Sequence, residues 1–253
     1  MAIIGGRAHT IEQIHEVGKL GYPFAEISLY DPVETRGQMA ELLNLKERYG
    51  LFYLAHYPNE GNPANVDALG KKFVPKVKAL VDLTCELGIS KATLHFWIDK
   101  RWATPELISA KIDLLSDMVG HATEKNVMLC LENLSEHYDS FALALDAIPD
   151  LRMTLDIGHA QLLSKENTSF DFIEHLYHKI GHIHVHDNFG GTSVKDDLHL
   201  PLGDGVVDFP KIFSMLRARG YGSTVTMEVK PPDMLGTKEK IERYLPGVSP
   251  GAA

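Results

Sequence analysis

Eight short apolar runs recur along this chain, and six of them carry an imidazole or a carboxylate at the last or next-to-last residue. The runs are Ala2–Gly5, Phe24–Leu29, Leu51–His56, Ala92–Phe96, Val127–Glu132, Arg152–Asp156, His182–His186 and Thr224–Val229. Amphipathic stretches of helical period separate most of them: Thr10–Leu20, Thr35–Tyr49, Val66–Leu87, Thr104–Glu124, Phe170–His178 and Phe209–Arg219. Shorter helices are expected near Ser140–Ala147 and Thr237–Tyr244. Gly21, Gly50, Gly88 and Gly220 punctuate the units, each where a helix needs a left-handed stop. Strand–helix alternation repeated eight times predicts an α/β fold, a single (β/α)8 TIM barrel occupying residues 1–253 as one domain. An open doubly wound sheet fits less well, because no Gly-x-Gly-x-x-Gly follows the first strand.

The strand ends carry the chemistry. Metal-binding residue types fall at seven places: His56, His95, Glu132, Asp156 with His159, His184, Asp197 with His199, and Glu228. Six of these lie at or just past a strand's C-terminal end, the face where barrel active sites are built. Asp197 and His199 follow on a loop. Buried carboxylates that crowd together repel and resist desolvation, and a bound cation removes both penalties. A lone strand-end histidine is more often a hydrogen-bonded core residue, and Asp156-Ile157-Gly158-His159 alone reads equally well as a helix cap. Convergence of all nine at one barrel mouth favours metal binding. His186 shares the face of His184 and is expected beside the site or against substrate, with His182 deeper. Lys230 and Glu26 are weaker candidates for substrate contact.

Composition excludes several other classes. The formal charge of −9 provides no global basic field for nucleic acid. Cys85 and Cys130 sit inside expected elements and do not form a disulfide framework. No secretory leader and no run of the roughly 20 apolar residues needed to span a membrane is present, so a soluble cytoplasmic protein is expected.

At these residues the chain resembles the xylose isomerase-like barrel superfamily, which contains sugar isomerases, ketohexose 3-epimerases, inosose dehydratases and endonuclease IV. The resemblance covers nearly the whole chain. It is strongest over Leu131-Glu132-Asn133, Leu155-Asp156-Ile157-Gly158-His159, His182 to Asp187, and Asp197 to Phe209. In the isomerase and epimerase branch it implies one divalent ion (Mn2+, Mg2+ or Co2+) on Glu132, Asp156, His184 and Glu228, with His159 touching substrate. In the endonuclease IV branch it implies three Zn2+ on nine ligands: His56, His95, Glu132, Asp156, His159, His184, Asp197, His199 and Glu228. The residues after His56 lack the Tyr-Leu pair that those endonucleases insert into DNA, so DNA is a disfavoured partner.

Charge separates the two mechanisms. One divalent ion against three carboxylates leaves about −1, which suits a neutral keto-sugar reacting through a metal-stabilised enediolate. Glu132 and Glu228 would then relay the proton as base and acid. Three zinc ions against four carboxylates leave about +2, which suits a phosphate ester. The expected activity is therefore a metal-dependent isomerase or epimerase of a small sugar or sugar phosphate. A trinuclear zinc phosphoester hydrolase is the runner-up. Oligomeric state is unreadable from the sequence.

Overall fold

The structure is a computed structural model and describes residues 2–245. Its strands are β1 (Ile3–Ala8), β2 (Phe24–Ser28), β3 (Phe52–His56), β4 (Lys91–Leu94), β5 (Met128–Glu132), β6 (Arg152–Asp156), β7 (Ile180–Val185) and β8 (Thr224–Met227). All neighbours pair in parallel, and the sheet closes where Ile3 of β1 pairs with Thr224 of β8. The helices are α1 (Ile11–Lys19), α2 (Pro32–Tyr49), α3 (Val66–Ala68), α4 (Val74–Glu86), α5 (Pro105–Glu124), α6 (Tyr138–Ala147), α7 (Ser169–Leu176), α8 (Phe209–Ala218) and α9 (Pro231–Tyr244). The chain thus forms the closed (β/α)8 barrel that the alternation predicts.

Local chemistry sets the helix boundaries. Asp31 caps α2 by accepting from the backbone N–H of Val33 and Glu34, and Gly50 ends it at φ +63°. Apolar faces such as Val77, Leu80 and Val81 of α4 are fully buried, each contributing roughly 1.5–3 kcal/mol of transfer free energy.

Several element bounds depart from the sequence reading: α9 begins at Pro231 rather than near Thr237, and β8 ends at Met227 rather than Val229. The helix expected over Val66–Leu87 is divided by a π-helical turn at Leu69–Phe73. That turn ends just ahead of Pro75, which has no N–H with which to continue the α-helical ladder. Strand β1 also runs three residues past the expected Gly5, to Ala8. The extension brings Arg7 into the barrel, a residue that an apolar count leaves out.

The barrel interior is unusually polar and is ordered in layers. Side chains alternate along each strand, so every second residue points inward. At the N-terminal end, Lys91 Nζ donates to Gly181 O, Ser223 Oγ and Thr224 Oγ1 at 2.8–3.0 Å and closes the floor. Gly5 leaves room there for the Phe24 ring, which a Cβ would meet at 2.6 Å. The middle layer holds Glu26, Thr93, Thr154, His182 and Thr226, and Thr93 and Thr154 join hydroxyls at 2.9 Å. Two residues beyond Thr93, Thr154, His182 and Thr226 lie His95, Asp156, His184 and Glu228, which belong to the ring of His and carboxylate side chains.

Candidate metal centre

His56, Glu132 and Asp156 are the last residues of β3, β5 and β6, while His95 and Glu228 lie one residue beyond β4 and β8. His184 is the penultimate residue of β7. Their donor atoms gather into overlapping groups, each with all its atoms within 4.8 Å of one another. One group is Glu132, Asp156, His184 and Glu228; a second, sharing Glu132, is His56, His95 and Glu132. A third is His159, His186, Asp197 and His199. All nine residues singled out in the sequence as ligands therefore enter a group, and His186 joins them.

Outer hydrogen bonds fix which ring nitrogen faces the centre. A carbonyl oxygen can only accept, so a nitrogen bonded to one must carry its proton. His56 Nδ1 donates to Tyr57 O at 3.0 Å, His159 Nδ1 to Asn133 O at 3.0 Å, and His199 Nδ1 to Glu228 O at 2.9 Å. Each Nε2 then faces a carboxylate: Glu132 Oε2 for His56 at 3.2 Å, Asp197 Oδ2 for His159 at 3.3 Å and for His199 at 3.2 Å. His184 is turned the other way. Its Nε2 lies 2.9 Å from Glu26 Oε2, leaving Nδ1 between Glu132 Oε1 at 3.1 Å and Glu228 Oε1 at 3.4 Å. Glu26 behind His184 is the carboxylate–histidine pairing that orients a metal ligand and raises its basicity.

The electrostatics call for a cation. Burial works against charge on Glu132, yet His95 and His184 outweigh it and hold the carboxyl well below its usual range. Burial also opposes charge on His199, but Asp197 and Glu228 raise it to about 9. In the same way Asp156 and Asp197 prevail over burial at His159, which rises well above an ordinary imidazole. Acceptors that face acceptors hold protons between them unless a metal ion takes that place. Among the described residues, Asp156 Oδ2, Asp197 Oδ1 and both ring nitrogens of His186 are buried without a hydrogen-bond partner. Leaving each unmet costs about 1–3 kcal/mol. The donor set and these unmet atoms fit divalent metal ions.

Backbone geometry holds the third group. Asp187 accepts from the N–H groups of Asn188, Gly203, Gly205 and Val207, folding the loop after β7 around its carboxylate. A Cβ at Gly205 would stand 2.3 Å from Asp187 Oδ1. This loop presents Asp197 and His199, and His199 adopts φ +49°, a left-handed conformation uncommon outside glycine. Next to the group, a cavity of about 300 Å3 opens between Trp97, Leu134, Leu162 and Leu163, with His159 and Asp197 in its wall.

Arg7 is the residue that sequence reasoning missed. It is 3% exposed, with Nε 3.2 Å from Glu228 Oε1, and its other nitrogens donate to Glu26 O, Ser28 Oγ and Tyr30 Oη. An arginine two residues past an inward glycine on the first strand was the available signal. Three other expectations shift. Glu26 does not reach the mouth: it is fully buried beneath His184, and it also accepts from His182 Nε2 and Thr226 Oγ1. His186 is likewise fully buried, with Nε2 3.2 Å from Asp156 Oδ1 and 3.6 Å from Asp197 Oδ1, rather than on an open substrate surface. Lys230 is exposed at the cap of α9, since β8 ends at Met227 and strand alternation no longer aims it inward.

Residues 14–245 match the model of the xylose isomerase-like TIM barrel family. The chain belongs to that family. It is 26% identical over 219 residues to the uncharacterised protein MJ1311 of Methanocaldococcus jannaschii, covering 81% of this chain and 73% of that one. Among solved structures it superposes on a D-tagatose 3-epimerase-like protein with a TM-score of 0.81, at 24% identity over 96% of both chains. The IOLI protein, solved with a zinc atom bound, gives a TM-score of 0.75 at 12% identity over 96% of this chain and 97% of its own. No described helix is long and apolar enough to cross a membrane.

Proposed function

We propose that this chain is a one-domain, divalent-metal-dependent isomerase or epimerase of a small sugar or sugar phosphate. The observation that carries the reading is the convergence of Glu132 and Glu228, from strands β5 and β8, on one point shared with Asp156 and His184. Glu132, Asp156, His184 and Glu228 would hold the ion. When bound, it would polarise a substrate carbonyl and make the proton on the adjacent carbon more acidic. Glu132 and Glu228 reach that carbon from different sides of the barrel. One carboxylate oxygen takes the proton, and the other returns a proton to the same carbon or its neighbour. Arg7 holds the Glu228 carboxylate in place through its 3.2 Å ion pair. His159 stands between the centre and the apolar cavity, where a substrate hydroxyl would lie beside its ring. Likeness to a D-tagatose 3-epimerase-like protein supports the same reading.

A second reading, phosphoester hydrolysis on a trinuclear zinc centre, is favoured by one observation. The His56–His95–Glu132 and His159–His186–Asp197–His199 groups extend well beyond what a single ion needs. The test is a panel of ketoses, ketose phosphates and phosphodiesters incubated with the metal-loaded protein. Conversion of a ketose, lost in Glu132→Gln and Glu228→Gln, is expected. Phosphodiester cleavage with no ketose conversion would replace the first reading by the second.

A further inference from the structure

We propose that Lys111 and Glu60, a buried ion pair outside the metal centre, position Trp97 as a wall of the cavity beside His159 and so set substrate affinity without touching substrate. The placement of Trp97 stands apart from the proposed activity, whereas its effect on a sugar rests on that reading.

Lys111 breaks the patterning of its helix. It lies on the buried face of α5 with Ile108, Leu115 and Met118, and its side chain is fully enclosed. A lysine is almost never buried to that extent unless it is paired. Its partner is Glu60, on the loop between β3 and α3, with Lys111 Nζ 2.6 Å from Glu60 Oε2. The ammonium also lies 4.3 Å from the centroid of the Phe96 ring. Such a pair is seldom more stabilising than apolar residues of the same volume, so what distinguishes it is the geometry it fixes.

That geometry is the loop between β4 and α5. The second Glu60 oxygen, Oε1, accepts the backbone N–H of Trp97 at 2.7 Å. The next N–H along, from Ile98, donates to Glu136 Oε1 at 3.0 Å. Consecutive amides are thus held by carboxylates from the loops after β3 and β5. The indole is held too: its Nε1 donates to Ser135 Oγ at 3.3 Å, and that hydroxyl donates to Asp99 Oδ2 at 3.0 Å. Fixed at backbone and ring, Trp97 lines the cavity of about 300 Å3 that His159 and Asp197 also border.

Lys111 keeps Glu60 in its role as acceptor. Burial pushes the Glu60 carboxyl up, and Lys111 opposes that rise. Without the ammonium, Glu60 would take up a proton or turn toward water, and either change loosens its hold on Trp97 N–H. Neither Lys111 nor Glu60 lines the cavity, so their influence reaches a substrate through Trp97.

The test uses two double variants that both remove the charge pair and differ in one acceptor. Lys111→Met/Glu60→Gln keeps an oxygen for Trp97 N–H, and Lys111→Met/Glu60→Met does not. Every chain also carries Trp102→Phe, which leaves Trp97 as the one tryptophan of the sequence's two. Acrylamide quenching of Trp97 emission is measured on the metal-loaded protein, together with KM and kcat for a converted ketose. The glutamine variant is expected to stay within about twofold of the Trp102→Phe parent throughout. The methionine variant should quench at least about twofold more steeply and raise KM at least about fivefold, the loss expected when a buried N–H is left without its acceptor. Its kcat and metal content should stay within about twofold. Lys111→Met alone, which strands the Glu60 charge, should behave like the methionine variant and carries the test if that chain folds poorly. Equal quenching in the two double variants, parent-like quenching in Lys111→Met, or a loss confined to kcat would overturn the proposal. If no ketose is converted, the proposed activity fails, while quenching still decides whether the pair places Trp97.

Discussion

Replacing Glu26 by glutamine probes how the barrel interior prepares its ligands. Glu26 receives three hydrogen bonds: from His184 Nε2 at 2.9 Å, His182 Nε2 at 3.0 Å and Thr226 Oγ1 at 2.6 Å. Glutamine has the same shape but one acceptor oxygen and no charge. All three bonds end on Oε2, so a glutamine oxygen in that place keeps them but sets its N–H2 against His184 Nε2, which lies 3.1 Å from Oε1. If that oxygen turns away, the His184 ring is free to flip and present the wrong nitrogen. Loss of such an outer partner weakens metal affinity about 10- to 100-fold, or about 1.4–2.8 kcal/mol. The lost charge puts Glu26→Gln toward the upper end, whereas Thr226→Val, which removes one neutral donor, should fall below tenfold. Competition against a metal-sensitive dye at fixed pH measures both, with far-UV circular dichroism to confirm folding. A Glu26→Gln affinity within about twofold of wild type would refute the assignment of Glu26 as the partner that orients His184.

Further predictions concern the rest of the interior. Arg7→Met leaves the buried Glu228 carboxylate unpaired and should destabilise the metal-free chain by about 3–5 kcal/mol. Metal loading should narrow that gap in urea denaturation, and equal stability without metal would contradict the pairing. Burial, with Glu26 opposing it, lowers His182 to about 4 against an ordinary 6.5. The unfolded chain therefore takes up a proton that the folded one refuses. Stability of the metal-free protein should fall as pH drops from about 6.5 toward 4, by up to about 3 kcal/mol from this ring. A His182→Gln chain with an equally steep decline would rule this out. Burial pushes the Cys130 thiol up to about 11, while Cys85 is exposed. Iodoacetamide at pH 8 should modify one thiol in the native protein and two in denaturant; two in the native state would place Cys130 wrongly.

Much of this was legible in the sequence because a barrel mouth leaves a periodic trace. A polar residue that ends an apolar run has one place to go, so His56, Glu132 and Asp156 could be set at strand ends from their position alone. The same rule lost Arg7, since the apolar run stops at Gly5 while the strand continues to Ala8. Alternation put His182, His184 and His186 on one face with His182 deepest, but it does not show which carboxylates each ring meets, which left the surroundings of His186 open. Glu26 was misplaced in depth: it faces inward as expected, yet a full layer below the mouth. Lys230 failed because alternation ends with the strand. The fold of the 187–207 loop rests on four backbone donors meeting one Asp187 carboxylate, a long-range arrangement that no local spacing encodes.

The central claim is that Glu132 and Glu228 move a proton on a carbon beside a carbonyl. It is tested most directly by incubating the metal-loaded protein with ketoses and ketose phosphates in deuterated buffer and following the substrate by NMR. Deuterium should enter at the carbon next to the carbonyl, at a rate that falls sharply in Glu132→Gln and Glu228→Gln when each variant is compared at saturating metal with its occupancy measured. No exchange into any of these substrates by the fully loaded protein would contradict the account.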